Sequence, residues 1–200
     1  MMGKTHFAVG LAVSLIIVQP DSFQECLTAV IGGTVGGVLA DNDILDNDHR
    51  LDTFSVQFFA AAVTVIALVI DSVGGFGIWQ SITENQSDAT TGGIVFAALW
   101  LFGVLSKHRT FTHSLTALLF YTLAVGMIYP PLTAGFAAAY LSHLLLDLTN
   151  KKKLPLLYPL NFGICFKLFY ADGLANKLFM SIGFAVSGVL LMLGILASCG

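Results

Sequence analysis

Charge is what this chain lacks most: 10% of its 200 residues are Asp, Glu, Lys or Arg, against roughly 25% in an ordinary soluble domain. That scarcity, with 56% of the residues hydrophobic, excludes a water-exposed globule of the usual kind. The apolar runs recur along the whole length between short polar clusters, so the bilayer is the expected solvent. Cysteine is almost as scarce. Cys26, Cys165 and Cys199 are far apart and form no C-x-x-C, which argues against a thiolate metal site and a disulfide framework. Any metal must therefore be held by nitrogen and oxygen. A cleavage site is missing too: residues 1–18 look like a secretory signal, yet the polar stretch 19–25 has no A-x-A pattern, and the segment is read as retained. With no tandem repeat and no low-complexity linker, residues 1–200 read as a single integral-membrane helical domain.

Seven apolar segments stand out, at 7–18, 27–40, 56–70, 92–105, 115–128, 132–146 and 178–197. They predict an all-α, multi-pass membrane helical bundle. The first, second and fourth fall short of the roughly 20 residues that cross a hydrocarbon core, so tilted, re-entrant or protein-buried helices are expected there. Basic residues collect on the cytoplasmic side of short loops. Crossing at every segment places Lys4, Arg50, Lys107, Arg109, Lys151, Lys152, Lys153, Lys167 and Lys177 on one face, which is all nine of the chain's bases. The opposite face receives residues 19–24, the loop 74–91 and the turn 129–131, with acids but no base. The expected orientation is a cytoplasmic N-terminus and an extracytoplasmic C-terminus.

All five histidines, His6, His49, His108, His113 and His143, fall at helix ends on the basic face, with seven of the twelve acids. His143 and Asp147 are four apart, close to one helical turn, so both project from one stripe. An ionisable pair in an apolar helix is costly in lipid and usually faces the protein interior with a partner. A shared metal and a His–Asp hydrogen bond between helices both fit. Asp41 and Asp43 follow the glycine-rich second segment. Two apart on a helix they would diverge, so they share a site only if the chain leaves the helix at 40–41; a solvated acidic turn is the alternative, since Asp46, Asp48 and Asp52 continue the run. His108 and His113 lie in Lys107-His-Arg-Thr-Phe-Thr-His-Ser114, with Thr112 the expected N-cap and His113 in the first turn. An interfacial loop facing water and head groups is the other reading of that block. Together, His6, Asp41, Asp43, His108, His113, His143 and Asp147 come from four places in the chain to one membrane face. Imidazole plus carboxylate without thiolate suits zinc, manganese or iron. Seven candidates exceed one tetrahedral ion, so one or two divalent ions are expected.

Lys4-Thr-His6, Gly37-Val-Leu-Ala-Asp-Asn-Asp43, His108-Arg-Thr-Phe-Thr-His-Ser114, and Ser142-His-Leu-Leu-Leu-Asp147 followed by Leu154-Pro-Leu-Leu-Tyr-Pro159 resemble the YdjM-like family of inner-membrane proteins assigned as metal-dependent hydrolases. Order and spacing agree over nearly the whole chain. Ala40 stands where that pattern commonly has proline, Ile44 where it often has histidine, and Asn150-Lys-Lys-Lys153 where it often has Thr-Pro-x-Gly. The resemblance implies a divalent-metal hydrolase of the cytoplasmic membrane.

The leading expectation is hydrolysis of a phosphoester in a lipid or another amphiphile at the cytoplasmic interface. Arg109 is the candidate catalytic cation for a phosphate oxygen, or else an anchor on the basic side. Lys151 to Lys153 would attract anionic head groups. Membrane lipids are the expected partners, no nucleic acid is expected, and the oligomeric state is left open. The alternative is a non-catalytic membrane protein, either a metal-stabilised scaffold or a cation transporter. A transporter would place its ionisable groups near mid-bilayer on broken helices, whereas here they sit at helix ends.

Overall fold

The structure, a computed structural model, describes residues 2–46, 50–107, 109–160, 162–171 and 173–199; for residues 44–46, 50 and 52 it describes the backbone alone. Every apolar segment is a helix. They are α1 (Gly3–Val18), α2 (Phe23–Leu39), α3 (Arg50–Gly74), α5 (Gln86–Leu105), α6 (Leu115–Ile128), α7 (Leu132–Leu148) and α8 (Leu174–Ser198). A short α4 (Ile78–Glu84) interrupts the polar stretch 74–91, and β1 (Leu154–Pro155) pairs antiparallel with β2 (Gly163–Ile164). The fold is an all-α helical bundle.

Among the described residues, four stretches are long and apolar enough to cross a membrane: Phe23–Asp43, Thr53–Gly74, Gln86–Leu105 and Leu174–Ser198. The second and fourth apolar segments are therefore longer than their hydropathy suggests. The fourth begins at Gln86, because Ser87, Asp88, Thr90 and Thr91 continue the helix in spite of their polarity. The short helices are α1, α6 and α7; at about 1.5 Å rise per residue they reach only about 21–26 Å. A hydrocarbon core is about 30 Å thick. Two of these three carry candidate ligands.

α1, α2 and α7 form the centre, and glycine decides how closely they approach. Gly33 and Gly37 face α1, where a Cβ on Gly37 would lie 2.7 Å from the His6 carbonyl oxygen. Gly32 and Gly36 face α7, where a Cβ on Gly36 would lie 3.0 Å from the Cβ of Ala139. Two small-xxx-small rows offset by one residue thus let α2 touch α1 and α7 at backbone distance, the packing that membrane helices use when apolar burial gives no drive between them. Leu11 and Leu15 of α1 pack with Ala29 and Val38 of α2. Phe136, Tyr140 and Leu144 of α7 pack with Tyr121 and Val125 of α6. By contrast α3, α5 and α8 turn Phe58, Val65, Val69, Leu101, Ile182 and Leu196 outward, each more than half exposed. In water such a surface would aggregate; against lipid it is at equilibrium.

Contacts at the two ends fix the direction of each helix. At one end the Thr5 hydroxyl donates to the Asn176 side chain at 2.8 Å, tying the start of α1 to the start of α8, and the Leu115 amide donates to the Leu156 carbonyl. At the other end Gln24 donates to the Tyr129 hydroxyl at 2.9 Å, and Asp71 accepts from the backbone amides of Ile78 and Trp79. The long polar stretch 149–177 folds back over the first of these ends. Its Phe166, Leu168 and Phe169 amides donate to the Leu148 and Thr149 carbonyls, which satisfies the last carbonyls of α7.

Candidate metal centre

His6 lies in the first turns of α1, held by the Asn176 ties at Met2 and Thr5. Asp41 lies just past α2, where the chain tightens into a 3-10 helix over Ala40–Asp46; this is the break from the α-helix that a shared role for Asp41 and Asp43 requires. His113 lies in the loop between α5 and α6. The N-cap of α6 is Ser114, whose side chain accepts from the Ala117 amide. This corrects the reading of Thr112 as the cap with His113 in the first turn: both precede the helix. His143 and Asp147 lie one turn apart on α7.

These five side chains converge. His6 Nε2 is 3.2 Å from Asp147 Oδ1, His113 Nε2 is 3.5 Å from Asp41 Oδ1 and 3.6 Å from Asp147 Oδ2, and His143 Nε2 is 3.6 Å from Asp41 Oδ1. All but the first are too long for good hydrogen bonds. They match the edge of a tetrahedron of ligands about 2.0–2.2 Å from a central ion, which is ~3.3–3.6 Å. Among the described residues, two groups have ligand atoms within 4.8 Å of one another: His6, Asp41 and His143, and His113, His143 and Asp147. They share His143. Since its Nδ1 donates to the Gly37 carbonyl at 2.8 Å, only Nε2 has a lone pair to offer, and the two groups are alternative positions for one ion. That Nε2 is buried with no hydrogen-bond partner among the described residues.

Asp43 does not join either group. Its Oδ2 accepts from the Arg109 amide at 2.7 Å and from the Thr112 hydroxyl at 2.8 Å, and lies 3.3 Å from His113 Nδ1. It sits behind His113 and directs the other ring nitrogen into the cluster, as a carboxylate does for a metal-bound histidine. Burial works against a charged His113 ring, but the Asp41 and Asp43 carboxylates beside its two nitrogens outweigh it and carry the ring's pKa up to about 9. The cluster is thus a place of negative potential that attracts a cation.

Arg109 places Nη2 3.1 Å from Asp147 Oδ2, while its Nε and Nη1 have no hydrogen-bond partner among the described residues. Its backbone is left-handed, φ 59°, a strained conformation for a residue with a Cβ. That conformation aims its amide at Asp43 and its guanidinium at Asp147. Lys151 stacks over the Tyr170 ring, 3.4 Å from its centroid, and Lys152 and Lys153 are exposed. His108 and His49 lie outside the described residues. Two groups outside the candidate ligand set complete the setting: the carbonyl of Gly37, and Tyr140, whose hydroxyl donates to the Thr112 carbonyl. The lone tyrosine one turn before His143 on α7 is the only signal that pointed to the second.

A family model described as YdjM inner membrane protein matches residues 1–199. The chain belongs to this family. The YdjM match covers all four elements that bring the cluster together. No match is found among curated proteins or among solved structures.

Proposed function

We propose that the chain is a metal-dependent hydrolase of the inner membrane, acting on a phosphoester of a lipid or another amphiphile at the cytoplasmic face. The observation that carries this is the outer support given to one triad. His113 is backed by Asp43, His143 by the Gly37 carbonyl, and Asp147 by both His6 and Arg109. Nitrogen and oxygen donors that are each held from behind are the arrangement of a metal site, and three protein ligands leave an open position, as catalytic zinc sites do.

Zinc suits this donor set, as do manganese and iron. Bound there, such an ion would supply a water of lowered pKa and polarise a phosphoryl oxygen. The chain's own groups do the rest. Asp41, 14% exposed beside the fully buried histidines, is the member of the cluster that reaches solvent and can take a proton from an attacking water. Arg109 holds Asp147 Oδ2 and turns it inward, and offers Nε and Nη1 to a phosphate oxygen. His6 holds the other oxygen of Asp147.

The test is elemental analysis of purified protein, followed by assay of phosphoester substrates with and without a chelator. Stoichiometric metal with chelator-sensitive hydrolysis supports the reading. Metal without turnover of any phosphoester gives the non-catalytic scaffold instead, and metal-coupled cation flux in vesicles gives the transporter.

A further inference from the structure

The loop that carries Arg109 and His113 also borders a groove of about 330 Å³, lined by Phe102, Leu105, Ser106, Lys107, Thr110 and Tyr158. We propose that this groove receives one acyl chain of an anionic phospholipid and that Lys107 holds its phosphate beside Arg109. This rests on the hydrolase reading for its purpose, and names the substrate class of that site.

The groove has a polarity order. Its apolar end is the last turn of α5, a helix long and apolar enough to cross a membrane, where Phe102 and Leu105 are 46% and 74% exposed. Its polar end is Ser106, Lys107 and Thr110, the next residues of the chain. Apolar then cationic, within a few residues, is the depth profile of a bilayer leaflet. Tyr158 closes the wall, edge-on to Phe111 with centroids 5.6 Å apart and near Phe102 at 6.4 Å. The volume is at the small end of the roughly 300–1,000 Å³ of ligand pockets, so it admits one slender chain and leaves the second in the bilayer.

The charge favours an anion. Lys107 is exposed at the rim; two residues on, Arg109 lies behind the groove wall rather than in it, with Nε and Nη1 buried and without hydrogen-bond partners among the described residues. A phosphate held by Lys107 would lie two residues along the loop from the side chain that contacts Asp147. A second groove, of about 220 Å³ and including Lys4, Phe7, Phe59 and Phe184, has a more apolar lining and does not border this loop. It is the internal reference for the experiment.

The full chain is reconstituted in phosphatidylcholine nanodiscs containing a few mole per cent of phosphatidylglycerol with a diazirine on one acyl chain, in chelator so that no hydrolysis occurs. Adducts are then mapped by peptide mass spectrometry. The expected result is adducts concentrated on 102–110 and 158 over the Phe7/Phe184 groove, with Lys107→Ala lowering them about fivefold, the worth of one lysine beside an anionic lipid, and Lys152→Ala changing them less than twofold. Thr110→Trp, which fills the groove from its rim, should abolish them; if it fails to fold, Lys107→Ala decides. Adducts spread evenly over the lipid-facing helices, or unchanged in Lys107→Ala, or equal for diazirine phosphatidylcholine, overturn the proposal. Because binding is read without turnover, a failed groove and a failed hydrolase register separately.

Discussion

The rings of His6 and His143 stack with centroids 3.7 Å apart and planes 19° from parallel. His143 has its Nδ1–H committed to the Gly37 carbonyl, so its Nε2 is the atom that can offer a lone pair to the cluster. Replacing it should therefore remove a ligand and leave the rest of the site standing. His143→Ala is expected to lower bound metal at least tenfold, measured per chain by elemental analysis after gel filtration. Lys152→Ala, a surface change, should hold wild-type metal. Equal metal in the two variants would end the metal-site reading.

Asp43 gives a second and different test. It touches His113 from behind rather than joining the cluster, so Asp43→Asn should weaken metal binding without abolishing it, by about 10–100-fold as is usual when a carboxylate behind a histidine ligand is lost. Competition with a chromogenic chelator measures this. A loss as complete as that of His143→Ala would show that Asp43 is itself a ligand.

Asp43 also marks the limit of what the sequence discloses. The residues that converge, His6, Asp41, His113, His143 and Asp147, were legible because each is an ionisable group at the end of an apolar segment, where lipid leaves few other reasons to keep one. The four-residue spacing of His143 and Asp147 fixed their common stripe. Asp41 and Asp43 carry the same chemistry two residues apart, and only the course of the 3-10 turn decides which points into the cluster. The seven helices followed from hydropathy. α4 did not, because what fixes it is Asp71 accepting from the Ile78 and Trp79 amides, a contact with no apolar periodicity to announce it. The α5 start was hidden likewise, since polar residues can extend a helix beyond its apolar run.

Close helix approach is open to direct measurement. A Cβ on Gly37 would lie 2.7 Å from the His6 carbonyl oxygen and 3.2 Å from the Gly10 Cα, and these are backbone atoms that cannot step aside. Gly37→Ala is expected to cost about 1–3 kcal/mol, as overpacking does, and to lower metal content by moving α1 and His6. Gly188, where an added Cβ meets nothing within 4 Å, should accept alanine within about 0.5 kcal/mol. Thermal unfolding in detergent compares the two. Equal midpoints would mean that α1 and α2 are less tightly docked than the glycine rows imply.

The orientation of the bundle is the last prediction, and the reading of a cytoplasmic site depends on it. All nine basic residues fall on one face if the chain crosses at each of the seven apolar helices, and the ties of α1 to α8 and of α6 to the stretch after α7 bring residues of that face together. Lysine and arginine bias short loops toward the cytoplasm, so the face with His6, Asp41, His113, His143 and Asp147 should be inside. A reporter fused after residue 200 should then be extracytoplasmic, and one inserted beside Lys152 cytoplasmic. α1, α6 and α7 are short, and they can still cross because they pack among longer neighbours that thin or shield the bilayer locally. Should the C-terminal reporter be cytoplasmic, one of these three does not cross. The first to examine would be α6, at 14 residues the shortest of the seven. A substituted-cysteine scan through 115–128 would locate the turn, since a re-entrant α6 would label at both ends from the same side.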